Sequence, residues 1–394
     1  MLSGERVRVV FIVRSLDSGG AERQLAILAR GLPPDRFDVT VASMYSGGSM
    51  RAEFERIGHI RLVSLDKGGR WHTASFVRRL HGLMRTVRPH VVHGYMTGAN
   101  EVALLAARMC GAKAVWGIRV SDQDFSSYSR FRRMVYRGSV VLSRFPDLIV
   151  ANSEAGRRSH IADGYSARSF IVIPNGIDAH HFRRDAVAGE AWRRSMGWKP
   201  GDFVVGYPAR FDPMKDHSTF IAAAALFARE APEARFFCAG RDDFGFRGEL
   251  ETLAASNGLA GRLSFLPAIQ AMTAVYSGMD MLTLTSAFGE GFPNVLGEAM
   301  ACEVPCVTTP SGDAAAILDA PERIVPFRNP EALIKAWRRV RSLDPTMRRE
   351  EGRRNRERIC ANFSVDRLLE RTSAALLDVV DERTIKPPLR EVPS

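Results

Sequence analysis

The chain has 394 residues, 45% of them hydrophobic and 25% charged, which excludes a disordered chain, a fibrous repeat and a disulfide-stapled miniature. At roughly 100–200 residues per domain it is long enough for two domains, each with its own core. Lysine and arginine number 55 against 44 acidic residues, a net +11, which speaks of partners rather than fold and leaves nucleic acid, anionic lipid and phosphorylated substrates open.

Val7–Val13 reads as a buried strand, followed by a turn at Ser18-Gly19-Gly20 and a helix with Leu25, Leu28, Ala29 and Leu32 on one face. Further strands are expected at Val39–Ser43, Ile60–Leu65, Val91–His93, Ala114–Ile118, Leu148–Asn152 and Phe170–Ile173, with helical stretches between several of them. The segment Pro174–Gly201, with Pro174, Asn175, Gly176 and Pro200, breaks the rhythm and reads as the domain connection. Strands resume at Phe203–Tyr207, Ala234–Ala239, Leu263–Leu266, Met281–Thr285, Pro305–Thr309 and Arg323–Val325, with helices such as His217–Glu230 and Asn294–Cys302 between them. This alternation predicts an α/β protein of two doubly wound domains, each a parallel sheet covered by helices. Arg348–Arg358 reads as a solvated helix, Val365–Val380 as a last helix, and the stretch from Lys386 to Ser394 as a disordered tail.

The five cysteines, Cys110, Cys238, Cys302, Cys306 and Cys360, stand at no metal-like spacing and are expected as buried free thiols in a reducing compartment. Arg6 and Arg8 precede only the short apolar run Val9 to Val13, which does not read as a signal peptide. No stretch approaches the 18 apolar residues of a membrane span. The expected location is cytoplasmic or on a membrane surface.

Ser286 to Met300, SAFGEGFPNVLGEAM, carries the most chemistry. A buried strand ends near Thr285, a glycine-bearing loop follows, and a helix is expected to start at Pro293, whose fixed φ suits the first helical position. The first N–H groups of such a helix lack intrahelical partners, and the dipole adds positive potential, so this is a place for a phosphate. Glu290 lies before the helix and Glu298 one turn after Asn294. Carboxylates accept hydrogen bonds from sugar hydroxyls. A phosphate site between two such acceptors fits a sugar nucleotide; a capped helix with two solvated glutamates is the plain alternative.

Glu290 and Glu298, with seven residues between them inside EGFPNVLGEAMAC, resemble the E-x7-E motif of the retaining GT-B glycosyltransferases of family 4. Gly19-Gly20-Ala21-Glu22, PNGID at 174–178, and Arg210 with Lys215 in PARFDPMKDH follow in the family's order, so the resemblance spans nearly the whole chain. It implies two Rossmann-like domains facing across a cleft: an acceptor-side domain at 1–180 and a nucleotide-sugar domain at 181–363. A helix at 364–383 would return to the first domain, and 384–394 would be the tail. It implies that Arg210 and Lys215 hold the donor diphosphate, that Glu298 accepts from the ribose, and that Glu290 accepts from a hydroxyl of the donor sugar. Gly291, Phe292 and Pro293, with the helix start at Asn294 and Val295, would present backbone groups to the donor. Gly19 and Gly20 would admit the diphosphate or acceptor without a Cβ clash. His93 would stand near the donor sugar and acceptor, and Arg119 near an anionic acceptor.

The resemblance implies transfer from a UDP- or GDP-sugar to a glycan or lipid-linked glycan in cell-surface polysaccharide synthesis, with retention and with the two domains closing over the donor. No Asp-x-Asp metal motif sits in a suitable loop, so no metal is expected, and cations with the helix dipole would stabilise the leaving diphosphate. The chain departs from the common pattern at Ala209, Asp216 and Glu303, where many relatives carry glycine, and Ser311-Gly312-Asp313 replaces a Gly-Gly-x-x-Glu element. Ser129–Phe145 holds Arg130, Arg132, Arg133, Arg137 and Arg144 without an acid, interleaved with apolar residues, the pattern of a helix lying on an anionic membrane surface. A helix packed on its own domain is the plain alternative there. A nucleotide-sugar 2-epimerase shares the two-lobed fold but needs acid–base groups around the sugar ring. A nucleic-acid partner is not expected, because the basic residues are dispersed and no base-stacking motif occurs.

Overall fold

The computed structural model describes residues 5–17, 19–68, 73–121 and 130–382; the expected tail at 384–394 and the start of the basic segment at Ser129 lie outside them. The chain divides into two units, one running to Gly176 and resuming at Val365, the other spanning Ile177–Ser364.

In the first unit β1 (Val7–Val13), β2 (Phe37–Ser43), β3 (Arg61–Ser64), β4 (Val91–Tyr95), β5 (Lys113–Ile118), β6 (Leu148–Ala151) and β7 (Phe170–Val172) form a parallel sheet in the order β3-β2-β1-β4-β5-β6-β7. The connections carry α1 (Gly20–Gly31), α2 (Arg51–Glu55), α3 (Thr73–Val87), α4 (Ala99–Cys110), α5 (Arg130–Leu142) and α6 (Glu154–Ala162). Side chains alternate across a strand, so Val9, Phe11 and Val13 enter one core with Leu25 and Leu28, while Val10 and Ile12 enter another with Leu80, Ala103 and Trp116. Burial on both faces explains why these strands read as unbroken apolar runs.

The second unit holds α7 (Ala186–Ser195), β8 (Phe203–Pro208), α8 (His217–Glu230), β9 (Ala234–Ala239), α9 (Arg247–Ser256), β10 (Leu263–Leu266) and α10 (Met272–Ser277). It continues with β11 (Met281–Leu284), α11 (Asn294–Ala301), β12 (Cys306–Thr308), α12 (Ala314–Leu318), α13 (Pro330–Ser342) and α14 (Pro345–Asn362). Its strands are parallel in the order β10-β9-β8-β11-β12. Trp337 of α13 lies in its core with ring centroids 5.5 Å from Phe220 and Phe227 and 5.9 Å from Phe236, and its Nε1–H donates to Thr283 Oγ1 of β11 at 2.9 Å. The last helix, α15 (Val365–Val380), belongs to the first unit, where Leu368, Leu376 and Val379 join the core of α1.

Strand order reverses between β1 and β4 in the first unit and between β8 and β11 in the second. Open α/β sheets bind ligands at the carboxyl ends of strands at such reversals. Gly19 follows β1 and His93 lies on β4; Arg210 and Lys215 follow β8 and Glu290 follows β11.

Four expectations need correction. Arg323–Val325 is not a strand: Pro321 opens a 3₁₀ turn, Arg323 is buried against Glu351 at 2.6 Å, and only the single bridge Thr308–Ile324 remains. The segment Pro174–Gly201 is not mere connection, since it contains α7, capped by Asp185 accepting from Ala188 N. Pro293 is the N-cap of α11, not its first residue, because its ψ of 95° is extended. Of the free cysteines, Cys238, Cys302 and Cys306 are buried but Cys110 and Cys360 are exposed.

Candidate functional site

The loop after β8 is built to present cations. Asp212 caps a 3₁₀ turn, Pro213–Lys215, by accepting from Met214 N at 3.0 Å, and its other oxygen accepts from Arg210 at 2.7 Å. The Tyr207 hydroxyl donates to the Lys215 carbonyl, and Thr285 Oγ1 donates to the carbonyls of Lys215 and Asp216 at 3.1 and 2.9 Å. Ala287 N reaches Met214 O at 2.8 Å. The loop is therefore tied to the end of β11, and Lys215 Nζ forms an ion pair with Glu290 Oε1, which also accepts from Ser286 Oγ at 2.7 Å. The two side chains are only 16% and 9% exposed, so this is a buried pair rather than two surface charges.

The loop from Glu290 to Pro293 is braced from behind. Asp313 N donates to Gly291 O at 3.0 Å. Gly312 adopts φ +61°, and a Cβ there would run into the Glu290 and Gly291 backbone, so the Ser311-Gly312-Asp313 element needs its glycine. Phe292 packs edge-on against Phe363 at 5.4 Å. Asn294 and Val295 are half-buried in the first turn of α11. Glu298, buried one turn on, accepts from the Tyr276 hydroxyl through Oε2 at 2.7 Å. Asp216 and Glu303 both take left-handed backbone, φ 49° and 63°, the conformation that favours glycine. Each costs about 1–2 kcal/mol, and Asp216 offsets part of it by capping α8, its Oδ1 accepting from Thr219 N at 3.2 Å.

In the first unit His93 is buried between Phe11 and Tyr95, with ring centroids 5.3 and 5.1 Å away, and among the described residues neither ring nitrogen has a partner. Arg119 stacks over Tyr95 at 4.4 Å and donates to Asn175 Oδ1 at 3.4 Å. Gln24 exchanges two hydrogen bonds with Gly176, 2.9 and 3.0 Å, and so holds the loop that carries Asn175. Gly20 opens α1, and the Glu22 carboxylate fills the space where a Cβ of Gly19 would stand. The space left by that glycine is thus taken up by the chain's own acid.

Two family descriptions match: Glycosyltransferase Family 4 over residues 18–181 and Glycosyl transferases group 1 over residues 202–342. The chain belongs to the family 4 glycosyltransferases. Its relatives include the Bacillus subtilis glycosyltransferase EpsF, 24% identical over 79% of this chain and 81% of that one. The D-inositol 3-phosphate glycosyltransferase of Actinosynnema mirum is 30% identical over 56% of each chain. Among solved structures, Anabaena HepE in complex with UDP and glucose superimposes with a TM-score of 0.81 at 22% identity, covering 94% of this chain and all of that one. The fold is accordingly that of the GT-B glycosyltransferases.

Two histidines of this glycosyltransferase are held neutral. Burial, then Arg119, lowers the His93 pKa to about 3; burial, then Lys215, lowers that of His217 to about 3. Above pH 6.5 neither the folded nor the unfolded form is charged at these sites. Between pH 6.5 and 3 the unfolded chain binds protons that the folded chain refuses, so stability falls as pH falls, by up to about 1.4 kcal/mol per pH unit for each histidine. His93→Gln should remove one of these contributions. Urea midpoints measured from pH 7 to 4 should separate progressively, with the wild type losing stability faster.

Tyr207, Thr285, Ser286 and Tyr276 were not singled out in the sequence, although each bonds a residue that was. Within the basic segment, α5 turns Tyr136 inward, its hydroxyl donating to Asp163 at 2.6 Å. It turns Arg133 and Arg137 outward, as it does Met134 and Val141, each 61% exposed, and the turn that follows it exposes Arg144 and Phe145. Arg108 of α4 donates to Phe145 O at 3.0 Å and adds a further cation. No helix among the described residues is long and apolar enough to cross a membrane, and none of them form a group of three or more His, Cys, Asp or Glu placed to hold a metal.

Proposed function

We propose that this glycosyltransferase moves a sugar, with retention of configuration, from a UDP- or GDP-sugar to a glycan or lipid-linked glycan of a cell-surface polysaccharide. The observation that carries the reading is the Lys215–Glu290 pair set at the β8–β11 reversal beside the start of α11. Arg210, Lys215 and the N-terminus of α11 bind the diphosphate and stabilise the charge it gains on leaving, in place of a metal ion. Glu290 and Glu298 accept from hydroxyls of the sugar and the ribose, while the backbone from Gly291 to Val295 lines the donor. His93, neutral at working pH, accepts or donates a hydrogen bond to the sugar, and Arg119 meets the anionic part of the acceptor. The leaving diphosphate accepts the acceptor's proton as the acceptor attacks from the same face. The HepE complexes with UDP and with UDP-glucose support the donor class.

The decisive experiment screens nucleotide sugars for thermal stabilisation and then assigns the anomer of the transferred sugar by NMR. Absence of stabilisation by any nucleoside diphosphate rejects the donor site, and an inverted anomer rejects retention.

The same reading places the enzyme on the cytoplasmic membrane face, with α5 toward anionic lipid. Each basic residue near such a surface contributes about 1 kcal/mol. Arg133→Glu, Arg137→Glu and Arg144→Glu together should therefore lower flotation with anionic vesicles on the order of a hundredfold and leave neutral vesicles indifferent. Equal flotation of wild type and triple variant would remove the membrane from the proposal.

A further inference from the structure

Tyr276 lies in the last turn of α10, 22 residues before Glu298, yet its hydroxyl meets the Glu298 carboxylate at 2.7 Å with both residues buried. The ring is held edge-on to Phe182, 6.1 Å between centroids. Tyr276 also borders a cavity of about 470 Å³ at the amino ends of β8, β11 and β12, lined also by Cys302 and Arg348. A glutamate side chain has three rotatable bonds, and a carboxylate that must meet a vicinal diol needs a fixed plane. A phenol supplies that restraint without a charge of its own, so it occupies one acceptor position of the carboxylate and sets no cation in competition for the others.

We propose that Tyr276 is a positioning residue for nucleotide recognition: by fixing one oxygen of Glu298 it orients the carboxylate toward the ribose hydroxyls. The inference rests on the reading of Glu298 as the ribose acceptor. Tyr276 touches no substrate atom; it acts through Glu298, so its loss weakens binding in ground and transition states alike and raises the donor KM more than it lowers kcat.

The test compares the wild type, Tyr276→Phe and Glu298→Gln for the affinities of UDP and GDP, each against its 2′,3′-dideoxy counterpart, together with donor KM and kcat. The ratio of the two affinities reports the ribose contact and does not depend on how much protein is folded. The wild type should prefer the ribonucleotide by about tenfold or more. Both variants should lose most of that preference, and Tyr276→Phe should raise KM by about the same factor with kcat little changed. Preference lost in Glu298→Gln but kept in Tyr276→Phe overturns the positioning role. Preference kept in Glu298→Gln, or absent from the wild type, overturns the reading of Glu298 itself and the inference with it.

Discussion

Lys215→Met should abolish most glycosyl transfer, by at least tenfold and, on the scale of removing one preorganised donor to a developing anion, by roughly 10²–10³-fold in kcat. The lysine is not a loose surface cation. Its backbone is tied to Tyr207 and Thr285, and its ammonium group sits on Glu290. Removing it therefore has a second effect, since Glu290 is left buried without its cation, and breaking a buried pair costs about 3–5 kcal/mol. The two effects separate in Lys215→Met/Glu290→Gln. The double variant should recover most of the lost stability, because no unpaired charge remains, yet stay inactive. Denaturant midpoints and transfer rates on the same preparations check this. A folded single variant with near-normal kcat would remove Lys215 from the chemistry.

Trp337→Ala should destabilise the second unit by about 3–5 kcal/mol, the range for deleting a large buried aromatic. The indole fills the space among Phe220, Phe227 and Phe236, and its N–H is the donor to Thr283. Trp337→Phe keeps much of the packing but leaves the buried Thr283 hydroxyl without that donor, costing about 1–3 kcal/mol. Thr283 lies on β11, the strand that delivers Ser286 and Glu290, so loss of activity should follow loss of structure on heating rather than precede it. Circular dichroism in a urea series, read beside activity, tests both variants. A shift below 1 kcal/mol in Trp337→Ala would mean that the site collapses around the void.

Most strands were legible because they are buried on both faces and so appear as short apolar runs between helical stretches; Val7–Val13 and Ala234–Ala239 match residue for residue. Val325 donates to Thr308 as a strand residue would, but the buried Arg323 and the turn opened by Pro321 leave one bridge where an extended run was expected. Helix α7 was hidden among prolines, glycines and charges, for it buries little beyond Gly189. The acids of the candidate site stood out through local spacing. Their partners did not, since Lys215 and Glu290 lie 75 residues apart and Thr285 is 70 from the carbonyl it binds. A buried tyrosine or threonine near a strand end looks like any core residue until the sheet order brings its hydroxyl to a loop carbonyl.

The path of the chain has a consequence for dissecting this enzyme. Ile177 and Ser364, the first and last residues of the second unit, bridge each other directly, and Ile177 N donates to Phe363 O at 2.8 Å. The second unit is thus an uninterrupted insert whose two ends emerge side by side, suited to excision as one gene fragment. The remainder is split in sequence: a truncation that stops before residue 365 strips α15 from the core it shares with α1, so the first unit can be produced alone only by splicing its two pieces with a short linker across the gap.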